Sequence, residues 1–137
     1  MQVICDDRFI ALALDLAEKS RSIVKRYFRS DIETIDKADA TPVTVADREA
    51  EAAMRSLITQ TFPDHGIIGE EHGEEHVDRE YVWVLDPIDG TRSFVAGLPL
   101  FGTLIALAHR GRSILGVIDH PATNERWLGA IGRTTTH

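Results

Sequence analysis

The stretch richest in reactive groups is Asp86-Pro87-Ile88-Asp89-Gly90-Thr91, directly after the apolar run Tyr81-Val82-Trp83-Val84-Leu85. Two carboxylates three residues apart straddle a proline that fixes the chain direction. Gly90 permits a tight turn or a close backbone approach. Asp86, Asp89 and the intervening Ile88 carbonyl can converge on one hard cation, and an all-oxygen set suits Mg²⁺ or Mn²⁺ and not zinc. If Thr91 opens a helical turn, the Gly90 and Thr91 amides point outward and can hold a phosphate oxygen. Pro, Asp and Gly are also ordinary turn residues, so the hexapeptide alone reads equally as a β-turn.

Glu70 shifts that balance. It follows the short apolar strand Gly66-Ile67-Ile68-Gly69 as Asp86 follows the longer one. Two such strands side by side bring Glu70 and Asp86 to one edge. There Glu70, Asp86 and Asp89 can share two cations, the arrangement used for in-line displacement at phosphorus. Glu71, Glu74 and Glu75 read instead as a solvated charge run. Asp47 fits a capping box, with Thr44 as N-cap and Asp47 three residues on, where negative charge is favoured. A metal-facing role through water is compatible with that cap.

A competing pattern is His72-Gly73-Glu74-Glu75-His76, which matches the H-x-x-E-H form of zinc peptidases. That site needs a helix to bring both histidines to one face. Gly73 and the lack of an apolar stripe around the segment argue for a chance match. His65, His109, His120 and His137 read as surface or turn histidines, Cys5 as a bystander, and Trp83 and Trp127 as core.

The positioning elements follow from periodicity. Apolar residues from Phe9 to Phe28 recur at three- and four-residue steps, which predicts an amphipathic helix from about Arg8 to Phe28. Residues 30–43 break the period and read as a loop, with a short strand at Ile32 to Ile35. A second helix starts near Thr44, buries Ala50, Ala53, Met54, Leu57 and Ile58, and ends before Pro63. The rest reads as strands: the two already named, Thr103 to Ala108, Ser113 to Ile118, and Arg126 to Ala130. His109-Arg110-Gly111-Arg112 is a hairpin turn, and Asp119 to Glu125 another turn region. The fold class is α+β, two helices on one face of a mostly antiparallel sheet.

Composition excludes several function classes. The chain has 137 residues, 15 Lys+Arg against 22 Asp+Glu and a formal charge of −7, which opposes non-specific nucleic-acid binding. No apolar run is long enough to span a bilayer, so no membrane partner is expected. The single cysteine makes no internal disulfide, and the expected compartment is the reducing cytoplasm.

Taken together, Ile68-Gly69-Glu70-Glu71, the segment from Trp83 to Phe94, and Pro42-Val43-Thr44-Val45-Ala46-Asp47 resemble the inositol monophosphatase family of Mg²⁺-dependent phosphomonoesterases in order and spacing. Within the family, Arg92-Ser93-Phe94, Pro99 to Leu107 and Glu125 to Gly129 are similar to the histidinol-phosphate phosphatase branch, which serves histidine biosynthesis. Inositol 1-phosphate or another small sugar or nucleotide phosphate is the alternative substrate. A homologue that binds metal or phosphate without catalysis is a further alternative.

The resemblance implies that Glu70, Asp86, the Ile88 carbonyl and Asp89 bind two or three Mg²⁺ (or Mn²⁺). Asp47 joins an outer ion through water. Glu70 and Thr91 activate the attacking water, and Asp89, Gly90 and Thr91 face the phosphate. Lys37 lies in a loop that approaches the metals. The resemblance also implies that residues 1–137 form the N-terminal half of an αβαβα layered fold. The C-terminal α/β half, with a further aspartate ligand and most contacts to a small phosphorylated alcohol, has no counterpart here. The full-length form is expected to be a homodimer, and this chain alone to be nearly inactive and to self-associate through apolar surface.

Overall fold

A computed structural model describes residues 4–30 and 42–137. Lys37 and the proposed strand at Ile32 to Ile35 lie outside the described residues. Helix α1 spans Asp7–Tyr27. Asp6 caps it, its carboxylate accepting the Arg8 amide at 2.8 Å, and Lys25 and Arg26 sit in the last turn, where the helix dipole favours cations. The expected stripe is buried, with Ser20 inside it.

Helix α2 spans Pro42–Thr61 and so begins at the proline, whose missing amide is no loss in a first turn. Thr44 therefore lies inside the helix and is not the residue that starts it. Asp47 belongs to the second turn, on the buried face with Ala46, Ala50, Glu51, Met54 and Ile58.

The strands are β1 (Gly66–Gly69), β2 (Gly73–Glu75), β3 (Tyr81–Asp89), β4 (Gly102–His109), β5 (Arg112–His120) and β6 (Glu125–Ala130), with the short helix α3 (Thr91–Val95) between β3 and β4. They form one sheet in the order β2-β1-β3-β4-β5-β6. β1 and β3 run parallel and the other neighbours antiparallel, so the mostly antiparallel α+β reading holds. The β2 edge strand was not expected, because its exposed Gly-Glu-Glu has no apolar period to reveal it. Arg110 (φ 50°) and Gly111 (φ 79°) make the two-residue β4–β5 turn, whose positive φ values match the twist of a hairpin.

Trp83, Leu85, Ile105, Leu107, Leu115, Val117 and Leu128 alternate onto the face covered by α1 and α2. A second cluster of Val24, Ala50, Ile88, Phe94 and Phe101 seats α3 against the two long helices. His65 lies in the turn after α2 and is half-buried. It stacks on Phe62 and Tyr81, and its Nδ1 accepts the Trp83 indole N–H at 3.0 Å. Burial lowers its pKa accordingly. Asp119 is no turn residue: it is buried in β5 between Arg21 (2.5 Å) and Arg126 (2.8 Å). Among the described residues no helix is long and apolar enough to cross a membrane.

Among the described residues nothing covers the opposite sheet face. Val84 is 39% and Ile118 46% exposed, and with Leu104, Ala106 and Trp127 they line an apolar cleft of about 630 Å³. Trp127 thus belongs to this open face and not to the core. A contiguous apolar patch of this kind drives association in water. Light scattering of the 137-residue chain is expected to give an average mass of at least a dimer. Val84→Lys with Ile118→Lys should return it to monomer without loss of β-sheet circular dichroism, and a wild-type monomer would contradict the reading.

Candidate functional site

The parallel register pairs Gly69 with Leu85, so the next residues, Glu70 and Asp86, emerge side by side at one end of the sheet. The motif is not a turn after the strand. β3 continues through it to Asp89, and its pairing with β4 shifts between Asp86 and Asp89. Such a bulge tolerates Pro87, which has no amide to give the ladder, and re-aims the side chains on either side. The buried Thr103 hydroxyl donates to the Pro87 carbonyl at 2.7 Å and lies 3.4 Å from the buried Ser20 hydroxyl. The bulge is thereby tied to β4 and α1.

Gly90 follows with φ 91° and precedes α3 at Thr91, as the reading of an outward helical turn required. A side chain at 90 would be strained at that φ, and its Cβ would lie 2.7 Å from the Leu100 carbonyl oxygen. Glu70, Asp89 and Thr91 are exposed, Asp86 is half-buried and Asp47 is buried. From α2, Asp47 faces the same edge. Burial, then the charges of Glu71, Asp86 and Glu70, push its carboxyl up to about 7, against a smaller opposing effect of hydrogen bonding to the Ile88 backbone. Burial, then Glu70 and Asp89, push Asp86 up to about 6.

Carboxylates from three separate stretches therefore sense one another at this edge. Among the described residues no three His, Cys, Asp or Glu side chains are drawn together closely enough to hold an ion as they stand. The donor chemistry is all oxygen and the acids repel one another, which is the imbalance a hard divalent cation relieves. On that chemistry the residues fit Mg²⁺ or Mn²⁺.

The zinc-peptidase alternative is overturned. His72 lies in the β1–β2 turn and Glu74 and Glu75 in strand β2, not on a helix. His72 Nε2 donates to the Arg48 carbonyl at 3.1 Å. Two residues escaped the sequence reading. Glu71, taken as part of a solvated run, turns toward Asp47 and pairs with Arg48 at 3.6 Å. Glu51 is wholly buried and accepts the Glu71 and His72 amides. Its signal was available: a charge four residues after Asp47, within the apolar stripe of α2.

The model of the inositol monophosphatase family matches residues 6–137. The chain is 53% identical over 133 residues to the chloroplastic bifunctional phosphatase IMPL2 of Arabidopsis thaliana, covering 94% of this chain and 38% of that protein. It is 48% identical over 124 residues to the histidinol-phosphatase of Chlorobaculum parvum, covering 90% of this chain and 48% of the relative. Among solved structures, an inositol monophosphatase from Zymomonas mobilis superposes with a TM-score of 0.81 at 46% identity, covering 93% of this chain and 49% of that one. The chain thus spans about half the length, or less, of these proteins.

The raised acids set a pH dependence. Asp47 and Asp86 hold their protons more tightly folded than unfolded, so without divalent cation stability is full below about pH 4 and is lost as pH rises through about 6 to 7. The loss is on the order of 2–4 kcal/mol, since the two acids are coupled and do not add. Thermal melts should show the fall, Asp47→Asn should remove most of it, and Mg²⁺ should raise the midpoint at pH 8 but not at pH 4.5. A flat metal-free profile from pH 4.5 to 8 would contradict this account.

Proposed function

The chain belongs to the inositol monophosphatase family, and from that premise we propose that it supplies the metal-holding half of a Mg²⁺-dependent phosphomonoesterase that converts histidinol phosphate to histidinol in histidine biosynthesis. The observation that carries the phosphatase reading is the placement of Glu70, Asp86 and Asp47 toward the shared end of β1 and β3, near enough for their charges to act on one another. The substrate rests on likeness to histidinol-phosphatases, and inositol 1-phosphate is its competitor through the Zymomonas structure. The single cysteine suits any reducing compartment, the cytoplasm or, as for the Arabidopsis relative, a chloroplast.

In this reading Glu70, Asp86, Asp89 and the Ile88 carbonyl would hold two or three ions, with Asp47 as a further carboxylate for them. Bound Mg²⁺ or Mn²⁺ supplies positive charge that acidifies water and neutralises phosphate oxygens. Glu70 and the Thr91 hydroxyl orient the attacking water and draw on its proton. The Gly90 and Thr91 amides donate to a phosphate oxygen, and Asp89 turns the same stretch toward the metal. Water oxygen bonds to phosphorus as the ester P–O bond breaks, the alcohol leaves with a proton, and no side chain is phosphorylated. The whole protein is proposed to act as a homodimer.

The test joins this chain to the remaining half of the Chlorobaculum histidinol-phosphatase. The chimera is expected to release phosphate from histidinol phosphate only with Mg²⁺, and faster than from inositol 1-phosphate. The 137-residue chain alone should release little. Asp86→Asn should lower kcat/KM at least ~100-fold, as loss of a group stabilising transition-state charge does, while His72→Ala stays within about twofold because its ring makes a backbone contact only. A folded chimera with no Mg²⁺-dependent phosphate release would refute the proposal.

A further inference from the structure

We propose that Glu51 is the positioning residue that directs Glu70 toward Asp86. The inference rests on the reading of Glu70 and Asp86 as metal ligands. A fully buried glutamate is uncommon unless it is paired. Here Oε1 accepts the Glu71 amide at 3.1 Å, and Oε2 accepts the His72 amide at 2.7 Å and the Arg55 Nε–H at 3.2 Å. The bonded amides belong to the two peptide units directly after Glu70. Charge-assisted bonds to both fix the backbone that aims its exposed side chain.

Space and charge around the contact are arranged for it. At position 69 a Cβ would collide with the Glu51 carboxylate, so the glycine before the ligand is the room the clamp occupies. Arg55 also bonds the Gly73 carbonyl and lies 3.5 Å from Glu75, tying α2 to the far side of the same turn. A short β-hairpin needs no buried charge to close, since backbone bonds and turn residues suffice. What the carboxylate adds is a set direction for the turn at the residue that would hold the ion, as groups that bond to metal-holding residues commonly do.

Glu51→Gln in the 137-residue chain is the test, with Mn²⁺ alone as probe, followed by loss of the free-ion EPR signal. The amide nitrogen then faces a backbone donor in place of an acceptor. The variant is expected to keep its β-sheet circular dichroism, to exchange the Glu71 and His72 amides faster, and to bind Mn²⁺ roughly 10–100-fold more weakly. Asp119→Asn removes an equally buried carboxylate held by Arg21 and Arg126, away from the turn. It should leave the Mn²⁺ affinity of the folded chain unchanged.

If Glu51 only supports the fold, Glu51→Gln will lower the thermal midpoint as Asp119→Asn does and leave Mn²⁺ binding where it was, which overturns the proposal. Should Glu51→Gln not fold, Arg55→Lys keeps both amide bonds but removes the guanidinium's grip on Oε2. Mn²⁺ binding weakened several-fold then supports the proposal, and unchanged binding overturns it. Failure of the unaltered chain to bind Mn²⁺ at all would overturn the metal reading itself, and the proposal with it.

Discussion

The parallel pairing of β1 with β3 is the constraint from which the site follows. Gly69 opposite Leu85 leaves the next two residues no freedom to avoid each other, and both are acids. α2 then lowers a third acid, Asp47, onto the same edge. Burial and mutual repulsion raise Asp47 and Asp86 together. The fold therefore works against itself at this point, and a cation that binds only the folded chain gains what the acids lose.

That strain is held in place by buried polar contacts and not by the apolar core alone. Thr103, backed by the Ser20 hydroxyl, grips the carbonyl of Pro87 from below, and Glu51 grips the turn after Glu70 from the side. Each contact is between groups that would be costly to bury unpaired. None of the described buried side-chain nitrogens or oxygens lacks a partner. The acids at the edge can repel one another because the backbone beneath them cannot yield.

The parts legible in the sequence were those that burial makes periodic. The stripe of α1 and the runs of β3, β4 and β5 repeat at helical or strand steps because each has an apolar face to hide. That Asp86, Asp89 and Glu70 are the acids at this edge was legible because acids that follow apolar runs in the sequence are conspicuous. The errors have physical causes. Thr44 looked like a cap because the local pattern does not register that Pro42 can already be helical. Asp119 looked like a turn residue because its two guanidinium partners come from α1 and β6, distant in sequence. β2 was invisible because an exposed, charged edge strand carries no period. Glu51 is invisible to a period counted on apolar residues, because it is a charge set within the apolar stripe of α2.

β4 carries the remaining argument. It reads Thr103-Leu104-Ile105-Ala106-Leu107-Ala108, apolar to both sides, as strands covered on both faces do. The helices cover one face, and the chain spans half or less of its relatives. The open cleft is lined by Val84, Leu104, Ile118 and Trp127, and also by Asp86. Whatever layer covers that cleft also takes water away from Asp86. Without a cation this desolvation raises an acid already pushed up, and so opposes the cover. With a cation bound, the neutralised acid resists burial less, and the lower dielectric strengthens its hold on the ion. On the proposed metal reading, binding of a cation at Asp86 and closure of the apolar face would be coupled with the same sign, and by reciprocity each would favour the other.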